Sequence, residues 1–428
     1  GMTLEVPAGV SATVVSKAPR PVPNDPASVI AQALDAPANA PLLEDAAKGA
    51  RTACILICDI TRPVPNHLFL RPLIERLTGA GVPLSEITVL IATGLHRPNL
   101  GEEMAELVGD PWVLDNVTVV NHDATNDDDH VMMGRTPTLG VPAGLDTRFL
   151  NADVMIATGL VEPHFMAGYS GGRKVIAPGV AHHTTIRTFH SARFMEHPAA
   201  TSCNLAGNPL HEAQLEIVEM LRAWKAERGE VRPIYGLNTV IDEARNLIFA
   251  SFGEILESHA RAVAFVGDWI EVKVGRKFRT VVTSAAGYPL DKTYYQTVKG
   301  MVTPLDILED GGTLIIVSEC GEGIGSPHFR AAQERLVALG PSAFLETLTV
   351  KSLADIDEWQ TEMQLKPMRV GDIVLVAPNL AESDRAVTGV ACRDDVGDAL
   401  AEALTKQASR EIAVIPEGPY VVPFCRAA

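Results

Sequence analysis

The chain has 428 residues, 46% of them hydrophobic and 21% charged, and a formal net charge of -17. Its length supports two or three domains with full cores, its composition excludes disorder, and no apolar run approaches the roughly 18–20 residues of a membrane span. The acidic balance argues against a nucleic-acid surface, because phosphate binding needs clustered cations, so neither nucleic acid nor membrane is an expected partner.

In chain order, Gly1 and Met2 read as a tag remnant ahead of an initiator, with no charged-then-apolar signal segment after them. Six cysteines (Cys54, Cys58, Cys203, Cys320, Cys392, Cys425) are scattered without a CxxC pair. They predict reduced, buried thiols and a cytoplasmic location. Residues 1–50 are rich in Pro and Ala and read as an arm on the first domain. Within it "DPASVIAQALDA" predicts a helix, with Asp25 as cap and Pro26 at the first helical position.

From Thr52 a pattern repeats: a β-rich run, a polar or Gly-rich bend, then an amphipathic segment. The runs are "TACILICDI", "ITVLIATG", "NVTVVNHD" and "ADVMIATGL", and later "FRTVVTSAAG", "GTLIIVSECG" and "DIVLVAPN". Continuous apolar runs suit strands buried on both faces, and helices such as "PNHLFLRPLIERLTGAG" supply the crossovers. "YGLNTVIDEARNLIFASFG" alternates and is expected to be antiparallel. The fold class expected is α/β, with two domains, mainly parallel Rossmann-like sheets and an interdomain active-site cleft. Residues 1–272 form the first domain and 273–428 the second, with the closing piece "EIAVIPEGPYVVP" free to pack on either.

Ligands of open parallel sheets sit beyond the carboxyl ends of the strands, which makes the residues after each run informative. Asp59, Thr61 and Arg62 follow "ILIC", His96 follows "IATG", Glu162 and His164 follow "IATGL", and "GEGIGSPHF" follows "IIVSEC". Taken singly, His96 and His164 read equally as loop histidines, and Arg62 as a helix cap or a partner of Asp59. The bend Gly168–Gly172 before Arg173 and Lys174 is either a plain turn or a place where backbone approaches a ligand. Two nearby patterns fail: "GYSGGRKV" lacks the Ser or Thr of a phosphate loop, and "HEAQL" lacks the second histidine of a zinc-protease helix.

Together, "DITRP", "TGLHRP", "EPHFMAGYSGGRK" and "YYQTVKG" resemble the nickel-pincer lactate racemase family, in order and over nearly the whole chain. The resemblance implies a 2-hydroxyacid racemase or epimerase. Its cofactor would be a nickel-pincer nucleotide, the nickel complex of pyridinium-3,5-bisthiocarboxylic acid mononucleotide, joined through a thioamide to the lysine matched by Lys174. Cofactor-biosynthesis proteins would supply that group, and a host without them would yield protein lacking nickel. By the same resemblance His190, sixteen residues beyond Lys174, is the nickel ligand and His96 and His164 are the acid and base. Arg62 and Lys299 match the substrate-binding cations, Asp59 and Gln296 polar residues of the pocket, and Trp359 a tryptophan lining it. Thr61, Gly171 and Gly172 are set with the cofactor-binding residues.

The implied chemistry has a physical logic. The Cα proton of a 2-hydroxyacid is very weakly acidic, so removing hydride avoids a carbanion and leaves a planar 2-keto acid open to return on either face. Two histidines near their ordinary pKa of about 6.5 serve as acid and base for the two hands of substrate. Arg173 and Phe189, flanking Lys174 and His190, are expected to shape the pocket for a larger or more acidic substrate than lactate. Two other readings remain. A nicotinamide-dependent 2-hydroxyacid dehydrogenase requires a complete Gly-rich fingerprint after the first strand, where this chain has "CDITRPVP". A catalytically silent relative would bind nucleotide or hydroxyacid without turnover.

Overall fold

A computed structural model describes residues 2–288 and 290–426. The chain divides into two compact units, one of Pro19–Phe189 and Asn204–Gly267, the other of Gly1–Ala18, His190–Cys203 and Asp268–Ala428. His190 and the segment after it therefore belong with the C-terminal half, although they precede residue 272 in sequence.

The unit containing Lys174 is built on a six-stranded sheet. Its strands run, in spatial order, Leu247–Glu254, Ile234–Ile241, Val154–Leu160, Ala53–Cys58, Ile87–Ala92 and Thr118–Asn121. All neighbours are parallel except Ile234–Ile241 with Leu247–Glu254, the antiparallel pair anticipated from its alternation. Every residue of Val154–Leu160 is buried. That two-sided burial is why the strand reads as an unbroken apolar run. The helix Asn66–Gly79 buries Phe69, Leu70, Leu73, Ile74 and Leu77, an i, i+3, i+4 stripe, in one core with Ile55, Ile57 and Val89. Ile30 and Leu34 of the helix Pro26–Asp35 join that core. Asp25 caps this helix as expected, accepting from Ala27 N at 3.1 Å and Ser28 N at 3.3 Å.

The second sheet is wholly parallel, in the order Ser11–Val14, Glu411–Ile415, Phe278–Ser284, Leu308–Val317, Gly371–Val376, Ala391–Arg393. One sequence expectation changes here and one open alternative is decided. Residues 1–50 are not one arm on the first domain, because Ser11–Val14 is an edge strand of this other sheet. The closing segment stays in this unit too: Glu411–Ile415 lies inside the sheet and Val422–Phe424 pairs with Glu271–Lys273. Val396, Ala399, Leu400 and Ala403 of the helix Val396–Gln407 pack on Val282, Ile315, Val376 and Ile412.

All six cysteines are free, although only Cys54 and Cys320 are fully buried. Burial pushes the Cys58 thiol up to about 11, so the cysteine nearest the strand-end residues is a poor nucleophile at neutral pH. Among the described residues no helix is long and apolar enough to cross a membrane.

Candidate active site

Three adjacent parallel strands of the first sheet, Val154–Leu160, Ala53–Cys58 and Ile87–Ala92, end on the same edge and deliver most of the predicted residues. Beyond Cys58, the carboxylate of Asp59 is buried. Its Oδ1 accepts from Thr61 N at 3.2 Å and Thr61 Oγ1 at 2.5 Å. Its Oδ2 lies 2.6 Å from Nδ1 of His96, which the turn after Ala92 holds through His96 N to Thr93 O at 2.9 Å. Burial on its own would raise the Asp59 carboxyl, yet the His96 and Thr61 hydrogen bonds and the charges of His96 and Arg62 hold it below the ordinary carboxylate range. An acceptor-only carboxylate at Nδ1 fixes the His96 proton there, which leaves the Nε2 lone pair as the basic atom. The ring is 53% exposed, so this base is reachable from solvent.

Past Leu160, Glu162 forms an ion pair with Arg62. The arginine's partner is therefore Glu162, while Asp59 serves His96 and Thr61. Pro163–His164 pairs antiparallel with Gly168–Tyr169 to make a tight hairpin. Inside it His164 is buried, and its Nδ1 accepts from the backbone N–H groups of Met166 and Ala167 at 3.4 and 3.2 Å. With Nδ1 an acceptor, the proton of neutral His164 sits on Nε2. The two imidazoles thus carry opposite tautomers: His96 offers a lone pair at Nε2 and His164 an N–H.

The glycines of the bend answer to the protein's own packing. Gly168, Gly171 and Gly172 have φ of 78°, 78° and 51°. A Cβ on them would lie 2.4 Å from Asn204 O, 2.7 Å from Val161 Cγ2 and 2.7 Å from His259 Cγ. Gly172 N also donates to Asn238 Oδ1 at 2.9 Å. Packing alone accounts for these residues, so Gly171 and Gly172 need no ligand to explain them.

Arg173 departs from its expected place. Its side chain is fully buried and turns into the unit, with Nη1 3.0 Å from His259 Nε2 and Nη2 donating to Ala167 O at 3.3 Å. Burial draws this guanidinium down to about 9. It braces the His164 hairpin through the Ala167 and Tyr169 carbonyls and, being fully buried, offers no exposed surface to a substrate. Lys174, half-buried, sits beside it in the short helix Arg173–Ile176, its N donating to Gly171 O at 3.1 Å. The residues after the lysine are tied to the His96 turn, since Gly94 N donates to Gly179 O at 2.9 Å.

The other unit holds His190, Gln296, Lys299 and Trp359. The Trp359 ring lies 4.5 Å from the His190 ring, tilted by 37°. Its indole N–H donates to Tyr295 OH at 3.3 Å, and Gln360 Nε2 donates to Tyr295 O at 2.6 Å. Tyr295 is followed on the helix Tyr294–Val302 by Gln296 and Lys299, three residues apart and so on one face. Gln296 Oε1 is buried with no hydrogen-bond partner among the described residues. Phe189, the other residue expected to shape a pocket, is buried in the first unit.

Sequence reasoning passed over Glu162, Asn238, His259 and Tyr295 as site residues. Glu162 stands inside the quoted "EPHF" motif and was the most accessible of them. Asn238 and His259 lie in a strand and a helix whose patterns signal only burial.

Comparison with known proteins gives a consistent picture. Residues 1–202 match the profile of the lactate racemase N-terminal domain and residues 275–422 that of the lactate racemase C-terminal domain. The chain is 30% identical over 399 residues to the lactate racemase of Thermoanaerobacterium thermosaccharolyticum, covering 92% of this chain and 89% of that one. It is likewise 30% identical over 401 residues to the lactate racemase of Lactiplantibacillus plantarum, covering 92% and 90%. The lactate racemase apoprotein structure from T. thermosaccharolyticum superposes with a TM-score of 0.87 at 27% identity, over 99% of this chain and 97% of that one. A Thermotoga maritima protein shares the fold at a TM-score of 0.63 and 17% identity, over 90% of this chain and 99% of that one.

Proposed function

Since the chain belongs to the lactate racemase family and is an isomerase of the racemase type, we propose that it racemises or epimerises a 2-hydroxyacid with a nickel-pincer nucleotide held on Lys174. The observation that carries this reading is the opposed state of the two imidazoles, set by Asp59 at 2.6 Å on one side and by backbone N–H groups on the other.

The residues present fit such a group. A neutral imidazole suits nickel, and the His190 ring is held 4.5 Å from that of Trp359, tilted by 37°. The buried Oε1 of Gln296 needs a donor that the described residues do not supply, and a polar nucleotide would provide one. By the family resemblance Lys174 would hold the group by its amine and His190 would ligate the nickel, with Thr61, Gln296 and Trp359 the residues assigned to its surroundings. Gly171 and Gly172 act by setting the bend that aims Lys174. When bound, the group supplies a reversible acceptor for hydride from the substrate Cα.

The chain's own side chains do the rest. Arg62, exchanging Glu162 for the substrate carboxylate, makes two parallel charge-assisted hydrogen bonds. Lys299 adds a point charge to the carboxylate or the developing alkoxide. His96 takes the hydroxyl proton at Nε2 while Asp59 stabilises the imidazolium that results. The Nε2–H of His164 hydrogen-bonds the substrate oxygen from the opposite face, and the proton held by His96 returns to that oxygen when hydride returns to Cα. The planar keto acid that intervenes turns before it is reduced again, which inverts the centre.

The test loads the full chain by co-producing it with the proteins that build the nucleotide. Intact mass should show an adduct on the wild type that Lys174→Ala lacks, and at least one of a panel of chiral 2-hydroxyacids should racemise or epimerise only with the loaded protein, its Cα deuterium retained in the product. An adduct surviving in Lys174→Ala, no inversion of any hydroxyacid, or wash-out of Cα deuterium into solvent overturns the reading.

A further inference from the structure

A second concentration of metal-binding side chains lies in the Lys174 unit and has no part in the chemistry above. His122 follows the edge strand Thr118–Asn121, His130 opens the strand His130–Arg135, and His182 and His183 stand at the start of the helix His183–Phe189. The four rings form a chain: His122 to His130 at 5.1 Å, His130 to His182 at 5.1 Å, His182 to His183 at 4.2 Å. Asp127 closes one end, with Oδ1 2.8 Å from His182 Nε2. Asp127, His182 and His183 each bring a ligand atom to within 4.8 Å of the other two.

We infer that Asp127, His182 and His183 form a binding site for a divalent transition ion of borderline softness, of which Zn²⁺ is the type. Two imidazoles and a carboxylate are a donor set that suits zinc and leaves a fourth position for water. Tetrahedral bonds of about 2.0–2.1 Å place ligand atoms about 3.3 Å apart, so the Asp127–His182 pair, at 2.8 Å, opens slightly to admit the ion. The Asp127 side chain is 83% exposed and can swing to do so. An outer layer is already in place. Nδ1 of His182 accepts from Thr184 N at 3.3 Å and lies 2.8 Å from Thr184 Oγ1, which fixes the ring orientation, and the ion would replace the proton that Nε2 shares with Asp127. His130 Nδ1 donates to Asn126 O at 2.8 Å, which pins the turn carrying Asp127.

Charge favours the ion as well. Asp127 is the first of three consecutive aspartates. Bound there, the ion would staple the 123–130 loop to the start of the helix that runs into His190. The site is independent of Lys174 and of the nickel nucleotide.

Full-length protein made without the nucleotide, stripped with chelator and dialysed against ZnCl₂, should retain about one equivalent of zinc by elemental analysis. Asp127→Asn, a change at an exposed carboxylate, and His183→Gln should each weaken retention about tenfold or more, since loss even of an outer partner costs that much. His190→Ala should keep it, and MgCl₂ should not compete. No retained zinc, equal retention in Asp127→Asn and His183→Gln, loss in His190→Ala alone, or displacement by Mg²⁺ would each overturn the assignment. Failure of the cofactor experiment on Lys174 would leave it standing.

Discussion

The Asp59 carboxylate is buried against fixed donors on both oxygens, so its effect on His96 is directional as well as electrostatic. In Asp59→Asn an amide of the same shape turns a donor or a carbonyl toward Nδ1, and the charge that stabilises an imidazolium is gone. The expected outcome is a fall in kcat of about 10²- to 10⁴-fold, with little change in KM because Arg62, the proposed carboxylate ligand, is untouched. Steady-state kinetics on loaded protein, with circular dichroism to check the fold, decides it; a variant with unchanged kcat would falsify the pairing as functional. Arg173 makes the opposite point. Beside the lysine in sequence, it nevertheless hydrogen-bonds, among the described residues, to His259 and the backbone carbonyls of the hairpin. Charged residues are so seldom fully buried that sequence reasoning places them at a pocket by default.

Among the elements, the helix Glu358–Val370 is the most unusual, because its first two turns are buried even at polar positions. Glu362 within it is pushed up to about 8, by burial first and then by the charge of Glu196. Between its ordinary pKa near 4.5 and about 8, the folded protein holds a proton that the unfolded chain releases. Stability should therefore fall as pH rises through that window and level off above it. Glu362→Gln stays neutral throughout, so its unfolding midpoint relative to wild type should climb from pH 5 to pH 8; parallel curves would show the carboxyl to be ionised already. Other elements were legible for a plain reason. "ILIC", "VLIA" and "VMIATGL" are strands with both faces covered, and continuous apolarity is the signature of that burial. "SATV" carries no such mark, because at the rim of its sheet it is mostly exposed. The approach of Trp359 to His190 joins residues far apart in the chain, and the resemblance supplied a role for each without the contact.

At the scale of the whole molecule, residues 11–14 hold their place through Ser11 N to Arg410 O at 2.7 Å and Val15 N to Val414 O at 2.8 Å, with Leu4 and Val10 on the core beneath. Removing residues 1–15 should lower the unfolding midpoint by about 5 °C and, by baring the flank of Glu411–Ile415, promote aggregation detectable by light scattering. A truncated chain as stable and monodisperse as the full one would show that this edge contributes nothing. The same pairing bears on how the protein is born. A ribosome releases residues 11–14 some four hundred codons before their partners at 411–415 exist, so the nascent segment waits through nearly all of translation while the Lys174 unit takes shape, and the second sheet closes only once residues 411–415 have emerged.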